Sequence, residues 1–136
     1  MKLLILGIMA GVFLAFAASG SNTAAFNLLS SPETYGIGRF LAGILFATGL
    51  MLIVLCGGEL FTGNTLIITA VLEKRVTLGR MLRNWVIVYI GNLIGAIFIA
   101  WLINMSGLLS GGADLLGAMT VKIAAGKTAL PFGRAF

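Results

Sequence analysis

Apolar and polar positions fall in blocks along this chain, and the blocks have the length of membrane spans. The first apolar block runs from Leu3 to about Leu29, longer than the roughly 20 residues a helix needs to cross a bilayer. Its start imitates a secretory leader, with Lys2, an apolar core and Ala15-Phe16-Ala17 as a small-residue site. Against that reading, the apolar character resumes through Ala24, Ala25, Phe26, Leu28 and Leu29. Ser30-Ser31-Pro32-Glu33-Thr34 reads as a turn.

The next block, Gly38 to Leu72, is too long for one span. As a single helix it would reach roughly 50 Å, against a hydrocarbon core of about 30 Å. Gly57-Gly58-Glu59-Leu60-Phe61-Thr62-Gly63-Asn64 supplies the break. Polar, flexible backbone at membrane depth is tolerated where it lines a cavity or is covered by protein. The pattern predicts a helix to about Cys56, an irregular loop, and a half-helix from about Asn64 to Leu72, capped by Asn64 or Thr65. Such a half-helix aims the positive end of its dipole toward mid-membrane.

A third span is expected over about 84–105, with Trp85, Tyr89 and Trp101 as interface anchors. Gly7 and Gly11, and again Gly91 and Gly95, are small-xxx-small pairs suited to close helix crossing. Residues 106–130 read as an outer loop, glycine-rich to Asp114 and short and partly helical over 115–125. Residues 131–136 read as the start of a fourth span.

Composition agrees with the pattern. Of the 136 residues, 60% are hydrophobic and 10% charged, where a soluble domain carries about 25% charged. The chain reads as an all-α integral membrane protein. Its net charge of +5 is first a topology signal and not a nucleic-acid footprint. Lys2 and the cluster Lys74, Arg75, Arg80 and Arg83 place one side in the cytoplasm and the 30–37 turn outside. Lys122, Lys127 and Arg134 then fall outside, against the rule, which invites a functional explanation. With no histidine and one cysteine, Cys56, no metal cluster, histidine relay or nucleophile–base pair is available. Neither an enzyme nor a resident cofactor or metal is expected.

The motifs then become specific. Glu59-Leu60-Phe61-Thr62-Gly63-Asn64, with Asn84-Trp85, Val88-Tyr89 and Gly91-Asn92-Leu93-Ile94-Gly95-Ala96, followed by Lys127, Phe132 and Phe136, resembles the formate/nitrite transporter family of formate, nitrite and hydrosulfide channels. The resemblance implies an aquaporin-like fold of two inverted halves with facing broken helices. It also implies assembly as a homopentamer in the bacterial cytoplasmic membrane. This chain reads as the first half: spans at about 3–29, 38–72 broken near 57–64, and 84–105, then the outer loop and the start of a fourth span. The facing broken helix and the family's pore histidine have no counterpart here, so the chain reads as a piece of a longer subunit.

The resemblance assigns Phe46, Leu50, Leu60 and Phe61 to the pore constriction and Lys127 to the outer vestibule. Thr62 matches the threonine that bonds the pore histidine. Glu59 is expected to tie down loop N–H groups, and Gly63, Asn64 and Asn92 to shape the loop and bridge it to the third span. Phe46 and Leu50 lie one turn apart on one face; ordinary apolar packing is their plain alternative, and a solvated loop lysine that of Lys127. Moving a bare anion into low dielectric costs on the order of 20 kcal/mol by idealised Born arithmetic, so passage through an apolar constriction is expected in protonated form. Glu59 and Gly63-Asn64 lean toward the nitrite and hydrosulfide members. An aquaporin-type channel would need Asn-Pro-Ala at the half-helix start, which is absent. A structural membrane protein without a pore is the remaining alternative.

Overall fold

The computed structural model describes residues 1–135 and is all-helical over them. The long helices are α1 (Lys2–Ser30), α2 (Tyr35–Cys56) and α5 (Leu78–Met105). Each is long and apolar enough to cross a membrane. Between α2 and α5 lie two short pieces, α3 (Phe61–Asn64) and α4 (Ile67–Leu72). After α5 come a 3-10 turn (Leu108–Ser110), α6 (Leu115–Thr128) and α7 (Phe132–Ala135).

α1 is the central helix and packs against both α2 and α5. Its buried positions are small: Gly7, Ala10, Gly11, Ala17, Ser21 and Ala25. That stripe of small residues lets two neighbours approach closely, which is how helices associate where the surrounding solvent is itself apolar. On one side Gly38 of α2 meets Leu28 and Gly49 meets Ala17, so α2 runs antiparallel to α1. On the other side Gly91 lies against Gly7, and Gly95 against Ile8 and Val12, so α5 runs parallel to α1. The small-residue pairs of the two helices thus face each other. A Cβ built on Gly95 would overlap the Ile8 carbonyl oxygen, and one on Gly11 the Asn92 carbonyl oxygen. Only glycine fits those two positions.

Gly57 ends α2. Its φ of 66° is left-handed, and the Gly57 and Gly58 N–H groups turn back to Val54 and Ile53 carbonyls at 3.3 and 2.8 Å, closing the helix as glycine C-caps do. The Glu59 N–H then donates to the Leu6 carbonyl at 3.1 Å. The break therefore sits beside the Lys2 end of α1, below its midpoint.

Several boundaries differ from the sequence expectation. Helical backbone resumes at Phe61, not at Asn64, because Leu60 takes the extended N-cap conformation and makes no side-chain cap. Neither Asn64 nor Thr65 caps the half-helix: the Asn64 N–H donates to Leu60 and the Thr65 N–H to Phe61, both inside the first turn. α5 begins at Leu78 and carries Arg80 and Arg83 within it, since a helix continues past a basic interface once its side chains can reach water. Within the stretch expected as outer loop, the helical segment expected over 115–125 extends to Thr128 as α6. Of the fourth-span start at 131–136, Phe136 lies outside the described residues.

Most large apolar side chains of α2 and α5 point away from α1 and are exposed, Leu55 at 82% being one. That is the surface expected of helices meeting lipid or further membrane helices.

Candidate functional site

The site is built around one amide. Asn92, on α5, lies where the break passes between α1 and α5. Its Nδ2 donates to the Gly7 carbonyl at 2.8 Å and to the Glu59 carbonyl at 2.9 Å. Its Oδ1 accepts the Phe61 N–H at 2.9 Å. One side chain so pairs backbone groups on both sides of the break and fastens them to α1. Asparagine suits this because it carries two donors and an acceptor without charge.

A second attachment lies one turn further on. Asn64 Nδ2 donates to Asn84 Oδ1 at 3.0 Å, and Trp85 Nε1 donates to the Asn64 carbonyl at 2.8 Å. The Phe61 ring meets the rings of Trp85 and Tyr89 edge-on, with centroids 6.0 and 5.6 Å apart. Asn84, Trp85, Tyr89 and Asn92 share one face of α5 and grip α3 from it. Trp85 is therefore an internal tether, where its place near a span end had suggested an interface anchor.

Beside the clamp lies an open cleft of about 700 Å³. α1 contributes a stripe from Gly11 through Ala15 and Ser19 to Asn22 and Thr23, and α5 contributes one from Tyr89 through Asn92 and Ala96 to Ile103. Leu60, Phe61 and Thr62 enter from the break, Phe46 from α2, and Thr120 and Lys127 from α6. The lower part, at the break, is apolar apart from Asn92, Thr62 and the phenol of Tyr89. The upper part carries hydroxyls, an amide and the ammonium group.

A sequence model of the formate/nitrite transporter family matches residues 1–136. The chain belongs to the formate/nitrite transporter family. It is 41% identical over 134 residues to the formate channel BtFdhC of Bacillus thuringiensis, covering 97% of this chain and 50% of that protein. To the formate channel FocA of Escherichia coli K12 it is 39% identical over 107 residues, 79% of this chain and 37% of that one. To a probable formate transporter of Methanothermobacter thermautotrophicus it is 33% identical over 122 residues, 88% and 44%. The chain thus spans half or less of the length of these relatives. Membership of a family of transporters, together with the long apolar helices, makes it a multi-pass membrane protein.

The formate/nitrite transporter motif residues have distinct places in the structure. Phe46, Leu60, Phe61, Thr62, Asn92 and Lys127 all line the cleft. Leu50 does not: it lies a turn further along α2, toward the break, and is 45% exposed. Gly63 is exposed with open space around it, and Asn64 faces Asn84 instead of the cleft. Glu59 is half-buried, but among the described residues its carboxylate makes no hydrogen bond; the loop N–H expected to meet it is taken by Asn92. The dipole expected at Asn64 also loses its force, since α3 has four residues and its leading N–H already has a partner.

Sequence reasoning missed the tethers Asn84 and Trp85 and the cleft residues Ser19, Asn22 and Thr120. The signal was available for the first group: Asn84, Trp85, Tyr89 and Asn92 recur at helical spacing on one face. It was available for the second in the run Gly11, Ala15, Ser19, Asn22, which puts small and polar side chains on one stripe of an apolar helix.

Proposed function

We propose that this chain forms one wall of a channel for small monovalent weak-acid anions, with formate as the first substrate to test. The observation that carries this is the clamp: Asn92 fixes a break whose Leu60, Phe61 and Thr62 project into a cleft that Lys127 also lines. A helix broken inside a membrane and tied down at this many points is of use where something passes. Phe46, Leu60 and Phe61 form the constriction, and Thr62, an exposed residue, meets the facing wall. The inverted second half that the family fold implies completes the cleft, within a pentamer in the bacterial cytoplasmic membrane.

The order of chemistry along the cleft supports passage in neutral form. Lys127 concentrates anions at the mouth through its field. The apolar lower part then penalises a bare charge by several kcal/mol even after relaxation. Formate, nitrite and hydrosulfide are conjugate bases of weak acids and can take a proton before the constriction. The names of the relatives support formate; they add nothing to the lean toward nitrite and hydrosulfide.

The test is flux into proteoliposomes holding the protein, with formate, nitrite and hydrosulfide in turn. Uptake should be faster with an inward proton gradient and carry less than one net charge per substrate. Flux that ignores the gradient and carries a full charge would sink the protonation step. No flux for any of the three would sink the channel.

A further inference from the structure

We propose that Ser19 and Asn22 on α1, with Lys127 on α6, form a binding site for one small two-oxygen anion at the end of the cleft remote from Lys2. This deepens the channel reading and rests on it for the direction of travel, while the binding itself stands apart.

The argument begins with which polar side chains are paired. In apolar helices a hydroxyl ordinarily bonds back to a carbonyl one turn earlier. Thr23 does so to Ser19, Thr48 to Leu45 and Thr120 to Leu116, at 2.8, 2.6 and 2.8 Å. Ser21 donates across to the Ala42 carbonyl at 2.8 Å, and Asn64, Asn84 and Asn92 pair as described. Ser19 and Asn22 depart from this pattern, as Thr62 does at the other end of the cleft and as Asn27 and Asn104 do on exposed faces outside it. Ser19 and Asn22 are both half-buried, both line the cleft, and among the described residues neither side chain makes a hydrogen bond. Lys127, an exposed residue lining the same cleft, has no carboxylate partner among the described residues.

Ser19 and Asn22 are three residues apart and so share a face of α1. Asn22 lies about 16 Å along the helix axis from Gly11, the level of the clamp. The site is therefore well separated from the apolar constriction at Leu60 and Phe61. Its donors are two neutral groups, an amide N–H and a hydroxyl O–H, supplemented by one cation. Neutral donors hold an anion without the full strength of an ion pair, which suits a site that must both load and release. Two donors side by side match an anion with two oxygens on one atom. Formate and nitrite have that shape; hydrosulfide can meet both donors only through its single sulfur, at weaker hydrogen-bond strength and without the two-point match.

The experiment uses the protein in detergent and in proteoliposomes, as wild type and as Asn22→Ala, Ser19→Ala and Asn22→Gln. Line broadening of carbon-13 formate reports binding, and initial flux against concentration reports half-saturation. Asn22→Ala should weaken formate binding and raise half-saturation about tenfold, the scale of one hydrogen bond to a charged group. Maximal flux should stay within about twofold. Asn22→Gln should restore part of the loss, and Ser19→Ala should give a smaller loss of the same kind. Half-saturation for hydrosulfide should hardly change in any variant, a selectivity that general damage to the fold would not produce. Equal formate binding by Asn22→Ala and wild type would overturn the site while leaving the channel intact. Equal losses for formate and hydrosulfide would overturn it too. Formate binding that depends on Asn22, in a protein without flux, would uphold the site and remove the channel.

Discussion

Asn92 donates to the Gly7 carbonyl at 2.8 Å, a bond between residues 85 apart in the chain that fastens α5 to α1 at the level of the break. The same side chain satisfies a carbonyl and an N–H of the loop. Replacing it leaves those backbone groups without partners in a place water does not reach freely. Each unsatisfied group costs about 1–3 kcal/mol, so Asn92→Leu should destabilise by roughly 3 kcal/mol or more. Asn92→Asp should recover little at neutral pH, because a carboxylate would face two carbonyl oxygens. Reversible unfolding in mixed detergent micelles measures both; a loss below about 0.5 kcal/mol for Asn92→Leu would show that the clamp is dispensable.

Glycine at 95 is set by contact and not by backbone conformation. An added methyl would overlap the Ile8 carbonyl and stand 2.8 Å from the Val12 nitrogen, so α1 and α5 would have to separate. Overpacking typically costs about 1–3 kcal/mol, and backbone yields less than side chain. Gly95→Ala should therefore sit at or above the top of that range. Gly63→Ala is the internal control: nothing lies within 4 Å of its built Cβ, and helical alanine should be neutral or stabilising by up to about 1 kcal/mol. Equal melting temperatures for the two variants would contradict the packing of these helices.

The Asn64–Asn84 bond holds α3 against α5, and its strength can be isolated. A double-mutant cycle with Asn64→Ala and Asn84→Ala should return a coupling of roughly 0.6 kcal/mol, and at most about 1.7, the range measured for side-chain pairs between membrane helices. Additive single losses would mean that Trp85, Tyr89 and Asn92 hold α3 without help from the Asn64–Asn84 bond.

Lys127 should act over distance. Lys127→Gln should slow formate uptake at low substrate and low ionic strength, and the deficit should shrink as salt is raised, since the Debye length falls from about 30 Å at 0.01 M to about 8 Å at 0.15 M. A deficit independent of salt would remove the steering and leave Lys127 only its place in the site with Ser19 and Asn22, or a structural one in α6.

Leu60→Ala should loosen the narrow part of the cleft. Passage of a larger monocarboxylate such as lactate should rise relative to formate in proteoliposomes. An unchanged ratio would place the selective step elsewhere.

Much of this molecule was legible in one dimension. Span lengths and the excess length of Gly38 to Leu72 follow from arithmetic on a bilayer of fixed thickness, and the sequence alone determined that the second span breaks and roughly where. The two small-residue pairs, Gly7 with Gly11 and Gly91 with Gly95, were visible as candidates for close crossing. That they meet each other was decided only in three dimensions, because small-xxx-small spacing states that a helix can be approached and not by which partner. The same limit applied to the clamp. Asn64 and Asn92 could be read as bridges between the loop and the third span, but that Asn92 also reaches Gly7 of α1 was decided only in three dimensions. Glu59, the more conspicuous polar group, drew the role of pairing a loop N–H; Asn92 fills it and, unlike a carboxylate, also donates to the loop carbonyl. The local pattern therefore settled which segments are helices in the membrane; tertiary packing settled which polar side chains pair with backbone and which, such as Ser19 and Asn22, are left facing the cleft.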